Sequence, residues 1–224
     1  MQQCTHALVF LHFCTALSLF PFSLYPVSMD TAAYWLALVT LVTVPPFMLV
    51  WLVIHPLARF WRRVGPVRAY ASLGLFIFPL VWILYSFRAS LMKVHYGVNW
   101  LLVIPAVQIL AISMIMGLIR RKHLRPSILF GLPEIRGEDG PEKLLTEGIY
   151  SLIRHPRYVE VWLALLAIAL FTNYLAVYVL VVLFLPLIWI VVLLEERELR
   201  DRFGEQYVRY CARVPRFLPG RRGN

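Results

Sequence analysis

The fold is decided by one apolar stretch, residues 161–194, which reads VWLALLAIALFTNYLAVYVLVVLFLPLIWIVVLL. As a single helix, these 34 residues would be about 51 Å long, whereas the hydrocarbon core of a bilayer is about 30 Å thick. Thr172 and Asn173, in the middle of the stretch, favour a turn because their side chains can bond to nearby backbone groups. The stretch therefore predicts two membrane helices in a tight hairpin. The first helix should begin near Pro156, since proline suits a first helical turn.

Four other runs lack charged side chains and are long enough to cross a bilayer once, namely residues 7–27, 32–54, 69–87 and 98–119. The first run has no Lys or Arg before it and no small-residue cleavage site after it, so it predicts a retained helix rather than a signal peptide. Together with the hairpin, the runs predict six crossings. The expected fold is an all-α, polytopic membrane bundle of about six helices.

The composition agrees with a membrane protein. Of the 224 residues, 60% are hydrophobic and 15% are charged, whereas soluble domains have about 45–50% apolar and about 25% charged residues. These proportions exclude a soluble domain, a disordered chain and a disulfide-framed secreted module. Cys4, Cys14 and Cys211 are too far apart for a CxxC pair or a zinc knuckle. We therefore expect neither a disulfide nor a bound metal.

Basic residues are concentrated in residues 59–68, 120–158 and 195–224, which hold 20 of the 22 Lys and Arg. With six crossings these three segments share one face of the membrane, and their charge predicts that this face and both termini are cytoplasmic. The membrane would be the inner (plasma) membrane of a bacterium or the endoplasmic reticulum of a eukaryote. The net charge of +10 belongs to these segments, so the predicted partners are membrane lipids and not nucleic acid.

We divide the chain into residues 1–125, with four crossings, and residues 126–224, with the hairpin at 156–194 and a tail at 195–219. The cytoplasmic segments before and after the hairpin are the parts large enough to build a polar site. Because they flank the two cytoplasmic ends of the hairpin, folding brings them together.

The segment before the hairpin, residues 144–158, reads LLTEGIYSLIRHPRY and is the first candidate for a site. His155 would stand in the first helical turn, where free backbone N–H groups and the helix dipole favour anionic groups. Arg154 and Arg157 have a simpler interpretation, as positive residues of the cytoplasmic membrane interface. The sequence pattern leaves both interpretations open.

Glu195 and Glu196, directly after the apolar stretch, are the second candidate. Ionisable groups beside hydrocarbon are expensive and usually have a partner, and the hairpin places these acids near the basic residues of the first segment. Opposite charges beside the rings of Tyr150 and Tyr158 suit a zwitterionic or cationic ligand. The alternative is a pair of solvated acids at the end of a helix.

The tail predicts an amphipathic helix, because Leu199, Phe203, Tyr207 and Cys211 recur every four residues among charged ones. We expect this helix to lie on the membrane interface or to cover the pocket.

Two motifs carry a resemblance, namely TEGIYSLIRHPRY at 146–158 and EERELRDRFGEQYVRYCARVPRFLP at 195–219. The pattern GxYxxxRHPxY, a helical hairpin, and then EExxLxxxFGxxYxxYxxxVPxxxP resembles the isoprenylcysteine carboxyl methyltransferase family. It is also similar to the related phospholipid methyltransferases. The resemblance covers about the last 80 residues, and the order, spacing and intervening hairpin all agree.

The resemblance implies an S-adenosyl-L-methionine site on the cytoplasmic side, closed by the tail, with a lipidic or small-molecule methyl acceptor entering from the bilayer. Arg154 and Glu196 would orient the other residues of the site. Carried over by position, the cofactor-binding residues would be Leu144, Leu145, Tyr150, Arg154, His155, Pro156, Arg157, Tyr158, Glu195 and Glu196.

Two positions depart from the family pattern. Glu160 stands where many members have a small residue, and it is expected either to reshape the pocket or to pair with Arg157. Val191 stands where prenylcysteine-specific members have an arginine thought to hold the substrate carboxylate. The substrate class of the family therefore does not carry over with the cofactor.

Transfer of a sulfonium methyl group depends on in-line positioning and exclusion of water, and it needs no metal. No residue is an unambiguous general base, so the sequence does not identify the catalytic residues, and it favours a carboxylate or thiolate acceptor. Two alternatives stay open. The chain resembles, more distantly, sterol-type membrane reductases that use NADPH, and it could be a non-enzymatic membrane scaffold that has kept the hairpin.

Overall fold

The computed structural model describes residues 28–54, 58–122 and 144–220. These ranges are helical, apart from connecting segments and one isolated β-bridge between His95 and Tyr174. The expectation of an all-α fold is confirmed. The run predicted as the first crossing, residues 7–27, lies outside the described ranges, so the total of six crossings stays a prediction.

Eight α-helices and one 3₁₀ turn make up the described parts of the chain. They are α1 (Met29–Ile54), α2 (Ala58–Val64), α3 (Pro66–Ser86), α4 (Arg88–Leu91), α5 (Trp100–Arg121), the 3₁₀ turn Gly148–Ser151, α6 (Pro156–Thr172), α7 (Leu175–Phe203) and α8 (Glu205–Arg213).

Four of these helices are long and apolar enough to cross a membrane, namely α1, α3, α5 and α7. They overlap the runs predicted at 32–54, 69–87 and 98–119 and include the second arm of the hairpin. The first arm, α6, has 17 residues and is not among the four, so its crossing stays a prediction. All four contain at least one internal proline. Proline is tolerated in membrane helices because neighbouring helices and local adjustments can satisfy the freed backbone groups.

The hairpin of α6 and α7 turns at Asn173, as the sequence predicts. Asn173 has a left-handed backbone conformation (φ 54°, ψ 36°), which asparagine adopts more readily than most residues. Its side-chain amide donates to the carbonyl of Gly97 at 2.8 Å and accepts from the Tyr178 hydroxyl at 3.0 Å. The turn is thereby attached to the segment that connects α4 and α5.

The main apolar core lies between α1 and the two arms of the hairpin, where Leu41, Leu165 and Phe184 are buried together. By contrast, α3 and α5 leave many large apolar side chains exposed, among them Leu75 and Leu101. Such surfaces suit contact with lipid tails rather than with water. The core therefore fixes the hairpin, and the outer helices have the apolar surfaces expected of helices that face a bilayer.

Side-chain contacts show which helix ends lie together. Arg157 at the start of α6 stacks on Trp51 near the end of α1, and Arg120 at the end of α5 pairs with Glu160 of α6. His155 meets Glu196 of α7 at the same end of the bundle. This end contains the candidate site, and its cytoplasmic orientation stays a prediction.

The tail differs from the single amphipathic helix that the sequence predicts from residue 195. Helix α7 continues to Phe203, and Gly204, with a positive φ of 51°, separates it from α8. A positive φ costs glycine little because it lacks a Cβ. The predicted apolar stripe does pack, because its residues surround a buried cluster of Leu144, Tyr207, Tyr210 and Val214. The break lets the chain after α8 turn back toward the loop before α6.

Candidate functional site

The loop before α6 is shaped by a 3₁₀ turn and a proline. Gly148 has a φ of 61°, and the amides of Leu152 and Ile153 both donate to the carbonyl of Ile149. The turn buries Tyr150. Pro156 then begins α6, which leaves Arg154 and His155 as the last residues before the helix.

The end of the tail pairs with this loop through the backbone. The amide of Arg154 donates to the carbonyl of Pro215 at 2.9 Å, and the amide of His155 donates to the carbonyl of Arg216 at 3.0 Å. The Tyr210 hydroxyl donates to the carbonyl of Tyr150 at 2.6 Å in buried surroundings. These three hydrogen bonds, together with one from Arg154 Nη1 to Cys211 Sγ, hold the tail against the loop.

Glu196 is the centre of the charged site, and its side chain is fully buried. Four cationic side chains surround its carboxylate: Arg154 Nη1 at 3.1 Å, His155 Nε2 at 3.2 Å, Arg200 Nη2 at 3.3 Å and Arg216 with Nε and Nη2 both at 2.9 Å. A buried carboxylate is costly unless it is paired and hydrogen-bonded. Glu196 is therefore bound by residues from the loop, from its own helix and from the tail.

His155 lies between two carboxylates. Its Nε2 faces Glu196 at 3.2 Å, and its Nδ1 lies 3.6 Å from Glu195, whose side chain is about one-third exposed. Burial by itself would lower the pKa of His155, but the two carboxylates outweigh burial and raise the pKa above its ordinary value. His155 thus keeps a positive charge to a higher pH than a solvent-exposed histidine does.

Aromatic rings line the same region. The rings of Tyr158 and Phe217 lie 6.0 and 6.1 Å from the ring of His155. The guanidinium of Arg157 lies 3.8 Å above the ring of Trp51, which is a favourable cation–π distance. Burial raises the pKa of the phenol of Tyr150, which keeps it neutral and able to donate a hydrogen bond.

The structure brings most of the sequence-predicted site residues to one place. Ion pairs join Glu196 to Arg154 and to His155, and His155 also lies beside Glu195. Several of the others are packed into the protein rather than open, namely Leu144, Tyr150, Pro156 and Tyr158. Leu144 belongs to the apolar cluster that docks α8, and Leu145 and Arg157 are half-buried.

One sequence expectation about Glu160 is wrong. Its carboxylate pairs with Arg120, with Nε to Oε2 at 2.7 Å and Nη2 to Oε1 at 3.2 Å, and not with Arg157. The reason is that α5 packs along α6 and brings Arg120, in its last turn, to the face of α6 that carries Glu160. The other departure, Val191, is fully buried within the apolar core.

Sequence reasoning missed Arg216 and Tyr210 as members of the site. Arg216 lies between Pro215 and Pro219 beyond the last helix, where an arginine has no local pattern to mark it. Tyr210 resembles any other residue on the buried face of α8. A signal was available in the tail motif quoted above, which contains both residues, but motif letters do not say which side chain turns inward.

The arrangement has two chemical properties. It holds opposite charges close together in buried surroundings. It is also covered by the tail, which is attached to the loop through few hydrogen bonds. Such a site can bind a ligand with both positive and negative groups and can exclude water from it.

Comparison with known families gives a match for residues 127–206, to the family described as phospholipid methyltransferase. The matched segment includes the loop with His155, both arms of the hairpin and Glu196, and it ends just before Tyr207. Comparisons with curated proteins and with solved structures gave no significant match.

Proposed function

We propose that the protein transfers a methyl group from S-adenosyl-L-methionine to a lipidic or small acceptor entering from the bilayer, because residues 127–206 match the phospholipid methyltransferase family. The match supports a membrane methyltransferase in general terms. The observation that carries the finer proposal is the junction at Glu196, where the loop and the hairpin of the matched segment and the tail that follows it converge on one buried carboxylate.

The residues present fit the cofactor. S-adenosyl-L-methionine has an amino-acid end with both charges and an aromatic base. Arg154 Nε is a buried donor without a hydrogen-bond partner among the described residues, so it can meet a carboxylate. The partly exposed carboxylate of Glu195 suits an ammonium or a hydroxyl group. The rings of Tyr150 and Tyr158 are buried, so they would have to be uncovered to stack on the base. The apolar contacts would come from Leu144, Leu145 and Pro156.

When bound, the cofactor would supply an electrophilic methyl group on a positively charged sulfur. The residues of the chain would orient the reacting groups and exclude water from them. Glu196 holds Arg154 and His155 in fixed positions through ion pairs, which is the positioning that an in-line displacement requires. The tail, held by Tyr210 and by the backbone of Arg216, excludes water from the reacting groups.

Calorimetric binding of S-adenosyl-L-methionine to the detergent-purified full chain tests the proposal. His155→Ala and Glu195→Gln should each weaken binding by about 1.5–3 kcal/mol, roughly 10- to 150-fold in Kd, as expected for a lost hydrogen bond to a charged group. Arg88→Gln serves as a matched control for loss of charge, because Arg88 lies at the other end of the bundle and contacts Tyr85.

Three outcomes would contradict parts of the proposal. A folded protein that does not bind S-adenosyl-L-methionine, but melts at a higher temperature with NADPH, would be a reductase. Binding with no transfer of a labelled methyl group into any lipid or small-molecule fraction of membrane extracts would indicate a scaffold. Unchanged affinity in both site variants would mean that the cofactor binds elsewhere.

A further inference from the structure

An apolar groove lies at the end of the bundle where the hairpin turns, opposite to the charged site. Its lining includes Leu41 and Pro45 of α1, Leu91 of α4, and Val179 and Leu183 of α7. The cavity volume is about 350 Å³, whereas small-molecule sites in proteins have volumes of about 300–1,000 Å³. Val179 and Leu183 are 47% and 56% exposed, so the groove is open toward the expected bilayer.

The mouth of the groove, at Val94 and Leu175, is fixed by the backbone. The amide of Leu175 donates to the carbonyl of Val94 at 3.1 Å. The next residues of the two segments, His95 and Tyr174, form the isolated β-bridge, and their rings stack with centroids 4.2 Å apart. The connection between α4 and α5 is thus held against the start of α7, and the groove is formed without a ligand.

The groove extends from a membrane interface into the hydrocarbon. Leu175 and Leu183 both line it, and eight residues of helix separate them by about 12 Å. Tyr96 and Trp100, near the mouth in the chain, are 61% and 65% exposed, and such residues are enriched where membrane meets water. The shape therefore suits an acyl chain that lies along α7 below a head group.

Two exposed cations flank the mouth. Arg88 stands one helical turn before Leu91, and Lys93 directly precedes Val94. The guanidinium of Arg88 donates to the carbonyl of Tyr85 at 3.2 Å and lies 4.4 Å from the centre of its ring. Neither contact neutralises the positive charge, and neither cation pairs with a carboxylate of the described residues.

The described residues at this end include one acid, Asp30, in the first turn of α1. Leu41, where α1 reaches the groove, lies about three helical turns further along the helix. The mouth therefore carries a positive charge that is not compensated locally. Basic residues beside a membrane attract anionic lipid head groups, so the charge of the mouth and the apolar groove below it match the two parts of an anionic lipid.

We propose that the groove binds one acyl chain of an anionic phospholipid, with the phosphate of this lipid at Arg88 and Lys93. The lipid is not the methyl acceptor. Leu175 and Glu196 are 21 residues apart on one helix, which corresponds to about 32 Å, and the hydrocarbon core of a bilayer is about 30 Å thick. A head group at the mouth thus lies across the membrane from the candidate site, and this second site does not depend on the proposed function.

Native mass spectrometry of the detergent-purified full chain tests the proposal with two lipids, dioleoylphosphatidylglycerol and dioleoylphosphatidylcholine. These probes have the same acyl chains, and only the first has a net negative charge. Each Lys or Arg near a head group favours an anionic lipid by about fivefold. We therefore expect wild type to bind the phosphatidylglycerol about 10- to 30-fold more tightly than the phosphatidylcholine.

The charges are tested by Arg88→Gln/Lys93→Gln, which should bind the two lipids with equal Kd. Both side chains are exposed, so the variant should fold. Arg63→Gln/Arg68→Gln is the matched control, because it removes two exposed cations from the other end of the bundle, and it should keep the wild-type preference. Equal loss of preference in both variants would indicate general attraction to a basic surface and would overturn the proposal.

The groove is tested by Val179→Trp, which should fill it and weaken binding of the phosphatidylglycerol at least about tenfold. Each CH₂ group that can no longer be buried corresponds to about a fourfold loss. Val182→Trp is the matched control on the same helix, since Val182 is 64% exposed and does not line the groove. It should bind both lipids as wild type does.

Three further outcomes would overturn the proposal. The first is an equal Kd of wild type for the two lipids. The second is a lower melting temperature of Val179→Trp with an unchanged Kd, which would mean that the predicted crossing at 7–27, and not a lipid, occupies the groove. The third is transfer of a labelled methyl group to the phosphatidylglycerol, which would make this lipid an acceptor.

Discussion

Glu196 and Glu160 are both carboxylates held near one end of the bundle, yet their surroundings differ. Glu196 is surrounded by four cations from the loop, the tail and its own helix. Among the described residues, the guanidinium of Arg120 on a neighbouring helix is the cation that holds Glu160. Glu196 therefore joins segments that have no other reason to meet, whereas Glu160 joins two helices that already pack along each other.

A buried carboxylate can thus join several segments or only two helices, according to which residues pair with it. Four cations surround the single negative charge of Glu196, whereas Arg120 alone among the described residues pairs with Glu160. Loss of the Glu196 charge should therefore release the tail, and loss of the Glu160 charge should not.

The largest effect is expected for Glu196→Gln. Loss of this charge leaves the surrounding cations without a counter-charge, and breaking a buried pair in this way costs about 3–5 kcal/mol. We expect a lower melting temperature and rapid tryptic cleavage after Arg209 and Arg213, because the tail loses its attachment through Arg216. Thermal melting in detergent and limited proteolysis measure the two effects.

Two variants sharpen this experiment. Asp201→Asn removes an exposed acid from the same helix and should leave both readouts unchanged. Glu160→Gln should lower the melting temperature but leave the tail as resistant to trypsin as in wild type, because Arg120 does not contact the tail. Equal release of the tail by Glu160→Gln and Glu196→Gln would remove the contrast between the two carboxylates.

An intermediate effect is expected for Tyr210→Phe. The substitution removes the 2.6 Å hydrogen bond to the carbonyl of Tyr150 and leaves that buried acceptor unsatisfied, at a cost of about 1–3 kcal/mol. Amide hydrogen exchange should become faster in α8 and unchanged in the hairpin. Tyr85→Phe, which removes a hydroxyl from an exposed ring, is the matched control, and equal exchange in both variants would rule out docking of the tail by Tyr210.

The smallest effect is expected for the titration of His155, since burial partly opposes Glu195 and Glu196. Its pKa is higher in the folded protein than in the unfolded chain, so its contribution to stability is complete below the unfolded pKa of about 6.5 and is lost as the pH rises through the folded pKa. The groups that face it are Glu195 and Glu196 from α7, with Arg154 beside it and Arg216 opposite.

The melting temperature of wild type should therefore fall between mildly acidic and alkaline pH by more than that of His155→Gln. His95→Gln, which changes a histidine at the opposite end of the bundle, should keep the wild-type pH profile. A profile that is the same in wild type and His155→Gln would show that His155 does not carry a raised pKa.

The sequence was sufficient for the hairpin and its turn. The length of the apolar stretch against the thickness of a bilayer requires two helices, and Thr172 and Asn173 mark the turn through local hydrogen bonding. The association of the loop at 144–158 with Glu195 and Glu196 followed from the same hairpin. The break at Gly204 was missed because the apolar stripe continues across it, and only the positive φ separates α7 from α8.

Sequence alone was enough to predict the long apolar helices, the turn of the hairpin and the end of the bundle where charge accumulates. Those properties depend on local hydropathy and on residues close in the chain. The tertiary structure decided that Glu196, and not Glu195, is the buried centre, that Arg216 completes it, and that Glu160 meets Arg120. These pairings join residues 20–41 positions apart, and only the packing of helices and tail brings such distant side chains within hydrogen-bond distance.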